Sequence, residues 1–269
     1  MNMDIHHALK TRGIAPVDAE TLMAFVVQKD RAYVLAHPER VLGTSEEKHW
    51  MQCMERRRAG EPVSYITGQR EFFGRSFLVD PRVHIPRPST ENLVTMALDF
   101  LKSPKDDTRA LETGIIGVAK VLRDCSHVQT VVDVGTGSGC IAITMALERP
   151  DLHVIAIDIS DDALVVAREN AMRLGAARIE FLEGDLLSPM KNYEKQFLIV
   201  SNPPYIPSNA LLSKEVQDFE PSISLWGGAD GDGFLQSISE SARSMSHCCG
   251  YILECLTQQQ PLVPKVSVP

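Results

Sequence analysis

Apolar residues recur at helical spacing near the start of the chain. Leu22, Met23, Phe25, Val26 and Val27 define one stripe, and Trp50, Met51 and Met54 define another. Thr44 with Glu47 reads as a capping box that opens the second helix, which the pattern carries on to Gly60. The character then changes. PVSYITGQREFFGRSFLVDPRVHIPRP gathers β-branched and aromatic residues around Gly68 and Gly74, which predicts a hairpin in an extended linker. Pro81, Pro86 and Pro88 punctuate its end. From Glu91 the helical stripe returns through Leu93, Val94, Ala97, Leu98 and Leu101. Ser103 to His127 reads as polar and then weakly helical.

A regular alternation follows. QTVVDVG, HVIAIDIS, IEFLEGD and FLIVSNPPY are apolar runs of strand length, and CIAITMALERP and DDALVVARENAMRLG are helical stretches between them. Strands alternating with helices imply right-handed crossovers and a parallel sheet, hence an α/β fold. The predicted organisation is a helical domain over 1–60, a hairpin and proline-rich linker over 61–90, and an α/β domain over 91–269.

Composition narrows the function classes. The chain has 269 residues, 44% hydrophobic and 23% charged, and a formal net charge of −8. An acidic chain gains little from the phosphate attraction that drives nucleic-acid binding. The basic run Arg56-Arg57-Arg58 reads as a solvated helix face. No pair among the six cysteines has C-x-x-C spacing, so neither a zinc nor a redox site is expected, and no metal. Reduced thiols point to a cytoplasmic protein. MNMDIHHALK lacks the apolar stretch of a signal peptide, and no run of apolar residues is long enough for a membrane span.

Two motifs carry chemistry. Val131-Val132-Asp133-Val134 runs into Gly135-Thr136-Gly137-Ser138-Gly139 and then directly into a helix. Such glycines permit a tight turn and close approach of a ligand to the backbone. The spacing is G-x-G-x-G rather than the G-x-G-x-x-G of dinucleotide binders. Asp158 ends the next strand, 19 residues past Gly139, where an acidic side chain can bind both hydroxyls of a ribose. Ser160 suits the cap of the following helix, which leaves Asp158 for a ligand. Asp185 ends the third strand, in reach of an adenine amino group.

The second motif is Ser201-Asn202-Pro203-Pro204-Tyr205. Two prolines remove two backbone donors, so the Pro203 carbonyl is expected to stay outside any ladder as a free acceptor. With the side-chain oxygen of Asn202 it provides two acceptors for the two hydrogens of one planar NH₂ group. Tyr205 offers a ring to stack on that group. Held this way, an amide nitrogen presents its lone pair to an activated methyl donor, and orientation supplies much of the rate.

With these residues in view, the chain resembles the release-factor glutamine methyltransferases, the PrmC or HemK family. The resemblance lies in PVSYITGQREFFG, IPRPSTENLV, VVDVGTGSGCIAI, AIDIS, SNPPYIP, FEPSISL and GGADG, and covers roughly residues 60 to 233. It implies a Rossmann-like class I methyltransferase domain that uses S-adenosylmethionine, preceded by a small helical domain and a hairpin. It also implies methyl transfer to N5 of the glutamine in the Gly-Gly-Gln loop of class I release factors. The cofactor contacts would be Gly135, Thr136, Gly137, Ser138, Gly139, Asp158, Asp185, Leu186 and Asn202. The substrate glutamine would meet Asn202, Pro203, Pro204 and Tyr205, and the helical domain would help hold the release factor.

Three positions depart from the family pattern. Ser89 follows IPRP where an acidic residue is usual, and Leu186 stands where an aromatic is common. After the last strand, GYILECL, the sequence TQQQPLVPKVSVP replaces a helix and two strands, which predicts an uncovered sheet edge and lower stability. Two other readings use the same motifs. An adenine-N6 nucleic-acid methyltransferase shares the NPPY motif and the planar NH₂ geometry but needs a basic groove. A weakly active binding protein would result from the shortened C-terminus.

Overall fold

The computed structural model describes residues 3–10 and 13–262. Its contacts divide the chain into two units, one of residues 1–69 with 212–219 and one of residues 70–211 with the chain from 220 onward.

The first unit is helical: α1 (Ile5–Leu9), α2 (Pro16–Val27), α3 (Arg31–Ala36), α4 (Thr44–Arg58) and α5 (Val63–Thr67), joined by α9 (Lys214–Phe219) from later in the chain. Trp50, Leu22, Met23, Met54 and Ile5 are fully buried and form its core. The capping register differs from expectation by one position. Gly43 is the cap of α4, and Glu46 reaches back to its amide at 2.9 Å. Thr44 is already the first helical residue. The basic run is not simply solvated: Arg56 pairs with Glu61, while Arg57 pairs with Asp18 at 2.7 Å and Glu215 at 3.0 Å.

The second unit is α/β. It is built from β1 (Gln69–Phe72), β2 (Arg75–Leu78), α6 (Pro88–Lys102), β3 (Asp107–Glu112), β4 (Ile115–Val121), β5 (Thr130–Val134), α7 (Cys140–Glu148), β6 (His153–Asp158), α8 (Asp161–Leu174), β7 (Glu180–Glu183), β8 (Phe197–Ser201), α10 (Gly233–Ser244) and β9 (Cys248–Leu256). β1 and β2 form the expected hairpin, and the segment before it, expected to be extended, is helix α5. Phe73 and Gly74 both have positive φ, the requirement of a type I′ turn. Phe72 and Phe77 are fully buried with rings edge to face at 5.9 Å, which anchors the hairpin to the second unit's core.

Among the described residues the main sheet runs β3-β4-β9-β8-β5-β6-β7. β9, β8, β5, β6 and β7 are parallel, and β4 and β3 are antiparallel additions. Alternate residues face opposite layers, as the period of two dictates. Val131, Val154, Ala156, Leu198 and Val200 pack towards α6 and α7, while Val132, Val134, Ile155, Ile157 and Ile199 pack towards α10. This is the doubly wound arrangement of a Rossmann-like methyltransferase.

Two expectations are overturned here. Residues 107–121 are a hairpin, not weak helix, with Gly114 at its turn and φ of 78°. β4 also covers the edge of β9 that was expected to lie open, pairing from Ile115↔Leu256 to Val121↔Gly250. The chain after β9 turns through Thr257–Leu262, and Gln259 there is buried. The expected tail residues beyond 262 lie outside the described part of the chain.

Candidate active site

The order of the parallel strands reverses at β5, which has β6 on one side and β8 on the other. Ligands of open α/β sheets bind at the carboxyl edge of such a switch point. The glycine loop leaves β5 at that place, Asp158 ends β6, and Asn202 follows β8.

Gly135, Gly137 and Gly139 all have positive φ, at 72°, 54° and 81°. A Cβ on Gly139 would meet Ile143 at 2.8 Å and Ala167 at 3.2 Å, so glycine is needed there to bring α7 close. A Cβ on Gly135 or Gly137 would meet nothing within 4 Å. Those two glycines instead line open space at the sheet edge, room for a ligand against the backbone. Thr136 and Ser138 between them are buried.

Asp158 accepts from the Gly137 amide through Oδ2 at 2.8 Å and from the Ser160 amide through Oδ1 at 3.0 Å. Each carboxylate oxygen keeps a further lone pair, which suits two ribose hydroxyls. Burial raises the pKa of Asp158 despite these bonds. Ser160 caps α8 by accepting from the Ala163 amide at 3.2 Å.

Sequence reasoning passed over Asp133, one strand away. It is fully buried, and its Oδ2 accepts from Thr136 Oγ1 at 2.7 Å and the Ala142 amide at 3.0 Å. Its Oδ1 has no hydrogen-bond partner among the described residues. Burial, reinforced by Asp158, pushes its pKa up to about 7. A buried and a half-buried acid at neighbouring strand ends favour a ligand that carries positive charge. A sulfonium nucleoside with ribose hydroxyls fits this donor and acceptor set.

Asp185 lies two residues beyond the end of the strand it was expected to close. β7 ends at Glu183, and Asp185 is exposed in the turn beyond it. Leu186 is half-buried and adopts φ of 48°, a left-handed conformation unusual for a residue with a branched side chain.

The loop after β8 brings Asn202, Pro203, Pro204 and Tyr205 together. Among the described residues no backbone donor outside helices and strands bonds the Pro203 carbonyl. Asn202 is half-buried, and its Nδ2 donates to Thr90 Oγ1 at 2.9 Å. Tyr205 donates from its hydroxyl to Glu254 Oε1 at 2.9 Å. Ser89 and Thr90, the second and third residues of α6, donate to the same carboxylate at 3.1 Å each. Glu254 lies wholly inside β9, and burial raises its pKa against the three hydroxyls that lower it.

Neither Glu254 nor Thr90 was singled out from the sequence. A signal existed for Glu254, a lone charge in the apolar run YILECL, since unpartnered charges are rarely fully buried. Ser89, noted for departing from the family pattern, meets the buried acid with a hydroxyl that donates without needing an acidic proton of its own.

Behind the loop lies GGADG. A Cβ on Gly227 would strike the Gly231 carbonyl at 2.4 Å and the Pro204 carbonyl at 2.7 Å. On Gly231 it would strike the Tyr205 carbonyl at 2.4 Å. These glycines let two backbones touch, and so support the loop from behind. The FEPSISL segment supplies Glu220, nearly fully buried, which pairs with Arg87 and His84 and accepts from the Ile85 amide at 3.2 Å. Those charges and that amide hold its pKa below the usual value although burial opposes them.

Residues 116–219 match the methyltransferase small domain, and residues 4–68 match the PrmC N-terminal domain. Fold and site together define a Rossmann-like methyltransferase that depends on S-adenosylmethionine. The release factor glutamine methyltransferase of Koribacter versatilis is 40% identical over 225 residues, 83% of this chain and 72% of that protein. Those of Aliivibrio fischeri and Bacillus subtilis are 37% and 39% identical, over 84% and 82% of this chain and 72% of each relative. The chain belongs to the release factor glutamine methyltransferase family.

Proposed function

We propose that this enzyme methylates N5 of the glutamine in the Gly-Gly-Gln loop of class I release factors. The observation that carries the reading is the Asn202 amide, tied by its nitrogen to Thr90 so that its oxygen is left as an acceptor, with the Pro203 carbonyl next to it in the chain. Two acceptors on consecutive residues suit the two hydrogens of a primary amide. Holding both fixes the amide plane, so that the nitrogen lone pair, perpendicular to that plane, is turned towards the methyl group. When bound, S-adenosylmethionine supplies that methyl on a positively charged sulfur.

In this reading Asp158 binds the ribose hydroxyls, and Gly135, Thr136, Gly137, Ser138 and Gly139 line the cofactor. Asp185 and Leu186 flank its adenine. Pro204 and Tyr205 shape the slot for the glutamine side chain. The proton leaves the amide nitrogen after transfer, when the nitrogen is strongly acidic, so no strong base is required. The helical unit is assigned to recognition of the release factor. Among the described residues no helix is long and apolar enough to cross a membrane.

The test is direct. The protein is incubated with labelled S-adenosylmethionine and separate pools of release factor, other proteins and nucleic acid. The expected outcome is a mass gain of one CH₂ on the Gly-Gly-Gln glutamine. Label in nucleic acid alone overturns the reading.

A further inference from the structure

We infer that Thr90 and Glu254 form a polarity relay that fixes which end of the Asn202 amide faces the substrate. The inference rests on the reading of Asn202 as an acceptor, and it names positioning residues for that same site.

An ionised carboxylate can only accept hydrogen bonds, and a hydroxyl has a single proton to give. Glu254 collects three hydroxyls: Ser89 and Tyr205 on Oε1, at 3.1 and 2.9 Å, and Thr90 on Oε2, at 3.1 Å. The Thr90 proton is thereby spent on Glu254. Towards Asn202, 2.9 Å away, the Thr90 oxygen has only lone pairs to offer. Asn202 must therefore turn its NH₂ to Thr90. Its oxygen then points the other way, and it has no partner among the described residues. Amide oxygen and nitrogen are alike in shape, so shape alone leaves the two orientations nearly equal. The relay breaks that tie by chemistry.

The placement follows from the fold. Ser89 and Thr90 lie in the first turn of α6, directly after Pro88, where the helix dipole favours a negative partner. Glu254 stands on β9 among fully buried neighbours, with its side chain on the α6 face of the sheet. Tyr205 joins the same carboxylate, so one buried charge orients residues at both ends of the loop. Among the described residues, hydroxyls of this loop and of α6 are the side chains that bind this buried acid, an arrangement costly for stability alone, which argues for a positioning role.

The experiment compares Thr90→Val, Thr90→Ser and Glu254→Gln with the wild type. Valine keeps the shape of threonine but cannot relay, and serine keeps the hydroxyl. Turnover on a release factor is expected to fall about 10- to 100-fold in Thr90→Val and Glu254→Gln. KM for the release factor and affinity for S-adenosylmethionine should stay within about two-fold, and Thr90→Ser should recover most of the rate. A second readout needs no substrate. The Asn202 side-chain NH₂, assigned by its loss in Asn202→Asp, should be protected from hydrogen exchange in the wild type and in Thr90→Ser, and unprotected in Thr90→Val. Wild-type turnover in Thr90→Val, equal losses in the serine and valine variants, or an unprotected wild-type NH₂ each overturn the relay. Failure of the wild type to methylate any glutamine would instead sink the proposed function, and the exchange measurement would still decide the relay.

Discussion

Gln259 reaches back from the turn after β9 and donates from Nε2 to the main-chain carbonyl of Tyr205, at 2.9 Å. Its Oε1 accepts from the Leu256 amide at 2.9 Å, which fixes the side chain to its own strand end. Only 2% of Gln259 is exposed. A segment that departs from the family pattern thus braces the loop that carries Asn202.

Gln259→Ala leaves the Tyr205 carbonyl and the Leu256 amide without these partners in a partly buried place. Each such loss costs about 1–3 kcal/mol. We expect a lower midpoint in urea unfolding and a turnover reduced more than the affinity for S-adenosylmethionine. An unchanged unfolding midpoint would show that the brace is idle.

Asp158→Ala should weaken S-adenosylmethionine binding by about 1–3 kcal/mol, the cost of unmatched polar partners. The substitution also frees the amides of Gly137 and Ser160, so the glycine loop loses a support. Asp158→Asn separates the effects, because its oxygen still accepts from one amide while the charge is gone. Calorimetry that shows equal affinity in wild type and both variants removes Asp158 from the site.

Asp133 gives a pH dependence whose sign is fixed. Its pKa in the fold is about 7, raised by burial from the ordinary value of 3.8. The folded state therefore holds the proton more tightly than the unfolded chain between those values. Stability from this group is full below the unfolded pKa and is lost as pH rises towards 7, at up to about 1.4 kcal/mol per pH unit. Asp133→Asn should flatten that part of the profile while its oxygen still accepts from Thr136 and Ala142. Melting curves from acid to neutral pH check this, and parallel profiles for the two proteins would refute it.

What was legible in the sequence follows the length scale of each interaction. β5, β6 and β8 are buried on both faces, so they appear as nearly continuous apolar runs that need no partner to be recognised. Gly135 to Gly139 and Asn202 to Tyr205 are local in sequence and were found for the same reason. The β3–β4 hairpin was missed because Arg109, Glu112 and Lys120 interrupt its pattern. Lys120 is neutralised by Asp106 at 2.7 Å, and the apolar side of β4 makes sense only against β9, more than a hundred residues later. Thr90 was invisible for a similar reason, since its contact with Asn202 spans 112 residues. Glu254 and Asp133, in contrast, stood in plain sight as single acids within apolar strands.

The hairpin itself can be tested. Val118 is 1% exposed and pairs with Leu253 in the antiparallel ladder. Val118→Asp places an unpaired charge in that core, which should cost more than about 3 kcal/mol. Loosening β4 also bares the β9 edge to other chains. The variant should unfold at lower urea and scatter light on warming. Wild-type behaviour in both measurements would mean that the hairpin does not protect the edge.

Asn202 gives the sharpest test of the chemistry. Asn202→Ala removes an acceptor for one amide hydrogen in a half-buried position, so the fold should tolerate it. Loss of one preorganised polar contact at a reacting centre costs about 10²–10³ in rate. Asn202→Asp keeps oxygen acceptors, and acceptor count alone would leave it partly active. The neighbours argue otherwise. Thr90 already gives its proton to Glu254 at 3.1 Å, so a new carboxylate 2.9 Å from Thr90 would meet lone pairs instead of a donor. It would also lie near a buried acid, and like charges disfavour one another. Turnover should therefore fall about as far in Asn202→Asp as in Asn202→Ala. Combining Asn202→Asp with Glu254→Gln relieves the conflict, because the Thr90 proton is then free to turn, and part of the rate should return. Affinity for S-adenosylmethionine should fall less than turnover in every one of these variants, since the contact is made most strongly with the reacting amide. Near-normal turnover in Asn202→Ala would leave the Ser201–Tyr205 segment as a strand ending without a catalytic role.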